Sequence, residues 1–418
     1  MVKISNHNLS NILRIIINNV SIVDMHTHLY GPDFDDLLLW GIDELLNYHY
    51  LYVEFFRIHN LMDYNTFYSM NKAERADLIW KTLFVDNTPI SESCIGVITV
   101  LNELSIDFNC RNLNSIRAQY NTIDREKHID LVFGKTNIKY VVMTNDIFED
   151  REHNIWKKNK KKRDKRFKGS LRVDTILNNY LHSFPKLFEW GYHLQRDLCS
   201  KSVRELKRFF EEWIDITESV YVNTTIGPEF IYPDDSIRTK ILDKCLFPTL
   251  IKKRIPISIM LGVRKNINPL LREGGNSLGK INIEYIENLL RNYSNVRFFV
   301  TCLSRENNHE LCVLARKFKN LTPFGCWWFL NNPMLINEIT KMRIEMLGTS
   351  FIFQHSDSRV LDQLIYKWAH SKEVLFNILF ERYSKLINTG WVLTKECILS
   401  DINKLLNINF EKALYEKL

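Results

Sequence analysis

The chain has 418 residues, 45% hydrophobic and 25% charged, a globular composition that can fill one large barrel or two to three ordinary domains. No apolar run approaches the ~20 residues that span a bilayer, and eight scattered cysteines without a Cys-x-x-Cys pair argue against a disulfide framework or a structural zinc knot. Net charge is +7, and the run Lys157-Lys158-Asn159-Lys160-Lys161-Lys162-Arg163-Asp164-Lys165-Arg166-Phe167-Lys168 accounts for all of it; with a single aromatic and no stacking pattern, it reads as a solvated loop and not as a nucleic-acid surface.

Leu9, Ile12, Leu13, Ile16 and Val20 fall at helical spacing, and the opening residues lack a secretory layout, so the cytoplasm is the expected compartment. Next comes Ser21-Ile22-Val23-Asp24-Met25-His26-Thr27-His28-Leu29-Tyr30, an apolar strand running into His-x-His. Side chains at i and i+2 of a strand share a face, so His26 and His28 aim at one point beyond its end. Two imidazoles so placed suit a divalent metal.

Residues 43–136 are dense in Leu, Phe, Tyr and charges with few Gly or Pro, which predicts a mostly helical insertion after this first strand. Residues 138–146 read as a buried parallel strand ending in Thr144, Asn145 and Asp146. The basic loop and the short segment 169–174 follow. Ser202-Val203-Arg204-Glu205 has the capping-box pattern ahead of Leu206, Phe209, Phe210 and Trp213. Strand-like pieces at 220–223, 257–263, 296–302, 323–329 and 349–353 then alternate with helix-like pieces at 235–252, 283–292, 310–318 and 334–346. That alternation predicts βα units and a parallel sheet, closed by helical segments at 361–386 and 395–418. No repeat or Pro/Gly-rich linker divides the chain, so residues 1–418 are expected to form one domain.

A parallel barrel carries its site at the C-terminal strand ends. The polar residues that follow the predicted strands are His26 and His28; Thr144, Asn145 and Asp146; Arg172; Arg264; Ser304 and Arg305; Trp327 and Trp328; and His355, Asp357 and Arg359. Several arginines beside histidines and carboxylates point to a metal plus an anionic substrate, because guanidinium forks match carboxylate and phosphate oxygens. His355 and Asp357 stand at i and i+2. Asp357 is a candidate ligand, a proton carrier, or the cap of a helix beginning near Val360. Two other patterns carry less. Gly274-Gly275-Asn276-Ser277-Leu278-Gly279-Lys280 imitates a phosphate-binding loop, but Ile281 stands where a magnesium-binding hydroxyl belongs. Cys326 has no neighbouring histidine and reads as a packed thiol.

Taken in order, His26-Thr27-His28-Leu29, His49-Tyr50 with Arg57 downstream, Thr144-Asn145-Asp146, Leu171-Arg172-Val173-Asp174, Leu261-Gly262-Val263-Arg264-Lys265-Asn266, Gly325-Cys326-Trp327-Trp328-Phe329 and Ser356-Asp357-Ser358-Arg359 resemble the uronate (glucuronate) isomerase family of the amidohydrolase superfamily. The resemblance implies a distorted (β/α)8 TIM-type barrel with a helical insertion after the first strand, one divalent ion (zinc is the expectation), and interconversion of a hexuronate aldose with its ketose. It assigns His26, His28 and Asp357 to the metal, and Arg172, Arg359, His49 and Tyr50 to the open-chain sugar acid. Arg305 and Trp327 join the substrate set from their positions after strands. Tyr50 or Asp357 is the expected proton carrier. The expected partner is a small sugar acid, with no membrane and no nucleic acid; self-association stays open.

The sequence departs from the family at Met260, which stands where members usually have a histidine. A thioether is a poor ligand for a hard or borderline ion and donates no proton, so His355 is the expected replacement ligand. The second reading is a hydrolase or deaminase of the same superfamily using metal-activated water. The third is a barrel without turnover that binds a partner through its basic loop.

Overall fold

The computed structural model describes residues 4–158 and 163–416. Its strands are short, apolar and parallel: β1 (Ile22–Thr27), β2 (Ile138–Met143), β3 (Phe167–Gly169), β4 (Leu171–Arg172), β5 (Val222–Ile226) and β6 (Ile257–Leu261). The hairpin strands β7 (Val263–Arg264) and β8 (Ser277–Leu278) precede β9 (Phe298–Cys302) and β10 (Leu321–Pro323). The parallel ladders run β1-β2-β3 and β4-β5-β6-β9-β10.

Only Ser170 separates β3 from β4. Its hydroxyl donates to Met143 O at 2.8 Å and accepts from Asn223 Nδ2 at 2.7 Å, tying β2 to β5 across the break. At the other end, Phe324 bridges Ile352 in parallel. Further along that segment, Asp357 N donates to His26 O (3.2 Å) and His28 N to Ser358 O (2.8 Å). The segment thus runs from the Phe324 bridge at Ile352 to the end of β1 at residues 356–358. One face of the strands collects Val23, Met25, Tyr140, Val142, Met260 and Phe299, under Phe410 and Leu414 of the last helix. Ile22, Val141, Leu171, Val222, Ile257 and Val300 pack on the helices of the other face. Burial on both faces is why β2, β6 and β9 read as largely apolar runs, whereas β5 buries Asn223, Thr224 and Thr225.

Between β1 and β2 the described chain is helical, from Ile42–Leu46 to Arg125–Thr136. Among the described residues no helix is long and apolar enough to cross a membrane. Three expectations change. Ser202 lies inside the helix Ser200–Ile216, whose cap is Cys199; Ser202 Oγ accepts from Gln195 N (2.7 Å) and Glu205 from His193 N (3.0 Å), so the pair pins the preceding loop instead of capping. The strand expected at 323–329 stops at Pro323, because Gly325 turns the chain with φ +50. The strand expected at 349–353 is reduced to the Ile352 bridge, and Phe353 N finds Leu405 O (3.1 Å) on the C-terminal helices. Of the basic run, residues 159–162 lie outside the described residues. Arg163 donates to Ile216 O and Trp156 O (both 3.0 Å), and Arg166 pairs with Asp164 and Asp130 (both 2.7 Å), so these bases serve the fold locally.

Candidate metal centre and substrate cavity

β1 carries one extra residue against β2: Asp24 pairs with Val141 and Thr27 with Met143. This bulge interrupts the alternation of faces, a common device for re-aiming a side chain. Asp24 meets Trp368 Nε1 (2.9 Å) and the Ser356 amide (3.1 Å), while His26 turns toward His28 and Asp357. Burial raises the Asp24 carboxyl to about 6. Its hydrogen bond to Ser356 fixes the backbone one residue before Asp357.

His26 Nε2 and His28 Nε2 each lie 3.5 Å from Asp357 Oδ1. One donor atom from each residue falls within 4.8 Å of the other two. Asp357 Oδ1 and His26 Nδ1 are buried without a hydrogen-bond partner among the described residues, and burial draws His28 well below the usual imidazole range. Two imidazoles and a carboxylate, close enough to share one ion, fit a divalent metal. Asp357 adopts a left-handed φ of +55, a conformation that stores roughly 1–3 kcal/mol and clusters at functional sites.

The three donors converge without His355. Its ring sits behind His26 and against Phe324, with centroids 5.4 and 5.2 Å away, and neither nitrogen has a partner. Burial pushes this imidazole down to about 3. Met260 is a core residue of β6, packed with Phe299 and Val142.

Beside the triad opens a cavity of about 960 Å³, lined by His28, Asp357, His49, Arg172, Arg359 and Trp327 among others. His49 is buried with both ring nitrogens unpartnered, and burial lowers it to about 3. Arg172 is committed to the fold: Nε donates to Asp174 (2.9 Å), Nη1 to Thr144 O (3.2 Å) and Nη2 to Thr225 Oγ1 (2.9 Å). Arg359 Nη1 pairs with Glu273. Thr144 Oγ1 stands 3.3 Å from His26 Nε2, and Asn145 Nδ2 donates to Leu29 O at 2.7 Å, so this stretch braces the loop after β1.

Two expected site residues lie elsewhere. Arg305 is exposed and pairs with Glu338 (2.7 Å), because the helix Asn307–Ala315 begins just after it and turns it toward the helix Pro333–Leu347. Tyr50 is absent from the cavity wall, with the Lys367 ammonium 5.4 Å from its ring centre; Tyr48 lines the wall in its place. Arg264 is exposed on β7. Sequence reasoning also passed over Glu273, which nothing local marks, and gave Asp174, quoted with Arg172 in the family motif, no role of its own.

Tyr30, also on the wall, donates to Glu152 (2.9 Å), which accepts from Trp156 Nε1 (2.9 Å) as well. Burial raises Glu152 from 4.5 to about 7. The unfolded chain loses this proton near 4.5 and the folded protein near 7, so the folded state holds more protons in that window and stability falls as pH rises through it. Glu152→Gln removes this loss. In thermal melts the variant is expected to gain on the parent between those pH values, by about 3 kcal/mol at most. A constant offset across the window contradicts the assignment.

Neither a protein-family model nor a curated relative matches the sequence. Among solved structures, the fold superposes on a uronate isomerase from Bacillus halodurans C-125 with a TM-score of 0.96, at 44% identity over 99% of this chain and 97% of that one. A uronate isomerase from Thermotoga maritima gives 0.78 at 14% identity, covering 99% and 100%. A glucuronate isomerase from Caulobacter crescentus gives 0.77 at 12% identity, covering 99% and 95%. The latter two relatives share the fold.

Proposed function

Because the chain belongs to the uronate isomerase family, we propose that it interconverts a hexuronate aldose and its ketose in this cavity. The observation that carries the reading is the convergence of His26, His28 and Asp357 beside a cavity lined by Arg151, Arg172 and Arg359. Nothing in these relatives favours the hydrolase, deaminase or binding-protein readings.

The parallel ladders, the Ser170 link, the Phe324–Ile352 bridge and the bonds between residues 356–358 and the end of β1 support one distorted (β/α)8 barrel. In it, residues 43–136 are a helical insertion within a single domain. The triad would hold one divalent ion, zinc by preference, since two imidazoles and a carboxylate with an open position is a pattern of catalytic zinc sites. A bound ion there supplies Lewis acidity to the carbonyl and hydroxyl oxygens of the sugar.

The remaining steps fall to the chain. Arg359 takes the sugar carboxylate, since its guanidinium lines the cavity and its one side-chain partner among the described residues is the exposed Glu273; Arg172 and Trp327 bound the rest of the sugar. Asp357 Oδ2 removes the C2 proton and returns it to C1. We favour Asp357 over Tyr50 because Asp357 faces the cavity and Tyr50 does not, and burial holds the Tyr50 hydroxyl firmly protonated. His49, neutral and unpartnered, passes a proton from O2 to O1.

Comparison of D-glucuronate and D-galacturonate with D-glucose and D-galactose tests the reading. Ketose is expected from at least one acid and from neither neutral sugar. No ketose from either acid opposes it.

A further inference from the structure

We infer that Glu273 is a specificity residue: its carboxylate occupies Arg359 in the free protein, at the place where a substrate carboxylate binds, so that an acidic sugar displaces it and a neutral one does not. The inference rests on the uronate reading above.

Glu273 lies on the strap between β7 and β8, which pair antiparallel at Val263–Leu278 and Arg264–Ser277. The strap is seated on the helix His49–Ile58, the element that brings His49 to the cavity. Tyr52 Oη donates to Leu271 O (3.1 Å) and accepts from Gly274 N (3.0 Å). At Gly274 the approach is so close that a Cβ would lie 2.5 Å from Val53 Cγ2. The Arg272 guanidinium covers the Tyr68 ring at 3.9 Å. These contacts account for the stretch that imitates a phosphate-binding loop: its first glycine is a packing contact.

From this seat Glu273 reaches Arg359 Nη1. The pair is half open to solvent, with side-chain exposures of 34% for Arg359 and 58% for Glu273, and Glu273 has no other side-chain partner among the described residues. A one-point ion pair this exposed is held weakly. The Nε and Nη2 donors of Arg359 make no bond to the protein among the described residues, so an incoming carboxylate gains a foothold there and takes the guanidinium at two points, the stronger geometry; two carboxylates on one guanidinium repel, and the one-point contact of Glu273 is the one that yields. Arg172 offers no such exchange, since all three of its nitrogens already donate to Asp174, Thr144 and Thr225. A neutral sugar has no charge with which to replace Glu273 on Arg359, and it leaves the pair closed.

L-Gulonate, which is D-glucuronate with its aldehyde reduced, keeps the carboxylate and cannot be isomerised; D-glucitol is its neutral counterpart. Calorimetric titration of L-gulonate is expected to give roughly fivefold tighter binding to Glu273→Ala than to the parent, and about tenfold or more weaker binding to Arg359→Ala. D-Glucitol is expected to show no gain in either variant. Glu273→Gln keeps the shape of the side chain and its contact with Arg359 while removing the charge, and is expected to fall between the parent and Glu273→Ala. L-Gulonate binding that is unchanged or weaker in both Glu273 variants overturns the inference and makes Glu273 a support for Arg359. An equal gain for D-glucitol overturns it too. Since L-gulonate does not react, the outcome is separate from whether the protein makes ketose from D-glucuronate.

Discussion

Replacing Asp357 with asparagine is expected to lower kcat by about 10³-fold or more and to bring bound metal well below one equivalent, with the fold intact by circular dichroism. Asparagine is the substitution to choose because residue 357 has φ +55, which Asn tolerates and Ala does not. The loss then reports the carboxylate alone. Asp357 Oδ1 lies 3.5 Å from both His26 Nε2 and His28 Nε2, and an amide oxygen there is neutral and a weaker ligand. Its partner atom would be an NH2 group, unable to accept the C2 proton. A variant retaining full metal and a kcat within tenfold of the parent removes Asp357 from both roles.

Gly325→Ala is expected to destabilise the protein by about 3 kcal/mol or more, adding left-handed backbone strain to overpacking. The new Cβ would fall 2.0 Å from His355 Nδ1, 2.6 Å from Cε1 and 3.2 Å from Gln354 Oε1. His355 has little room to yield, since it lies between Gly325, Phe324 and the ring of His26. A shift of His355 therefore presses on the metal triad, and activity should fall together with stability. Urea unfolding measures the first effect and metal content the second. A variant with the stability and metal content of the parent shows that the slot is more yielding than its geometry implies.

The convergence of His26, His28 and Asp357 was legible because each stands at the end of a strand-like run and the order of the pieces is specific. What the sequence could not supply was phase and partner. Tyr48 and Tyr50 are two residues apart at the start of one helix, and only the seating of that helix sends Tyr48 to the cavity and Tyr50 to Lys367. Arg305 stands after β9 as Arg172 stands at the end of β4, but the helix starting at Asn307 rotates it to Glu338. The bulge in β1 is equally silent: strict alternation puts Asp24 with His26, whereas the extra residue sends one to Trp368 and the other to the triad. Glu273 meets Arg359 across 86 positions of sequence, a contact that no local pattern encodes.

The most direct test follows the carbon atoms of the proposed reaction. D-Glucuronate labelled with ¹³C at C1 is incubated with the protein carrying one equivalent of zinc and observed by NMR. The account predicts that the label moves from the aldehyde and hemiacetal signals to a hydroxymethyl signal, at a rate that Asp357→Asn abolishes. A C1 signal that stays in place for this acid and for D-galacturonate, with metal bound and the fold intact, contradicts it.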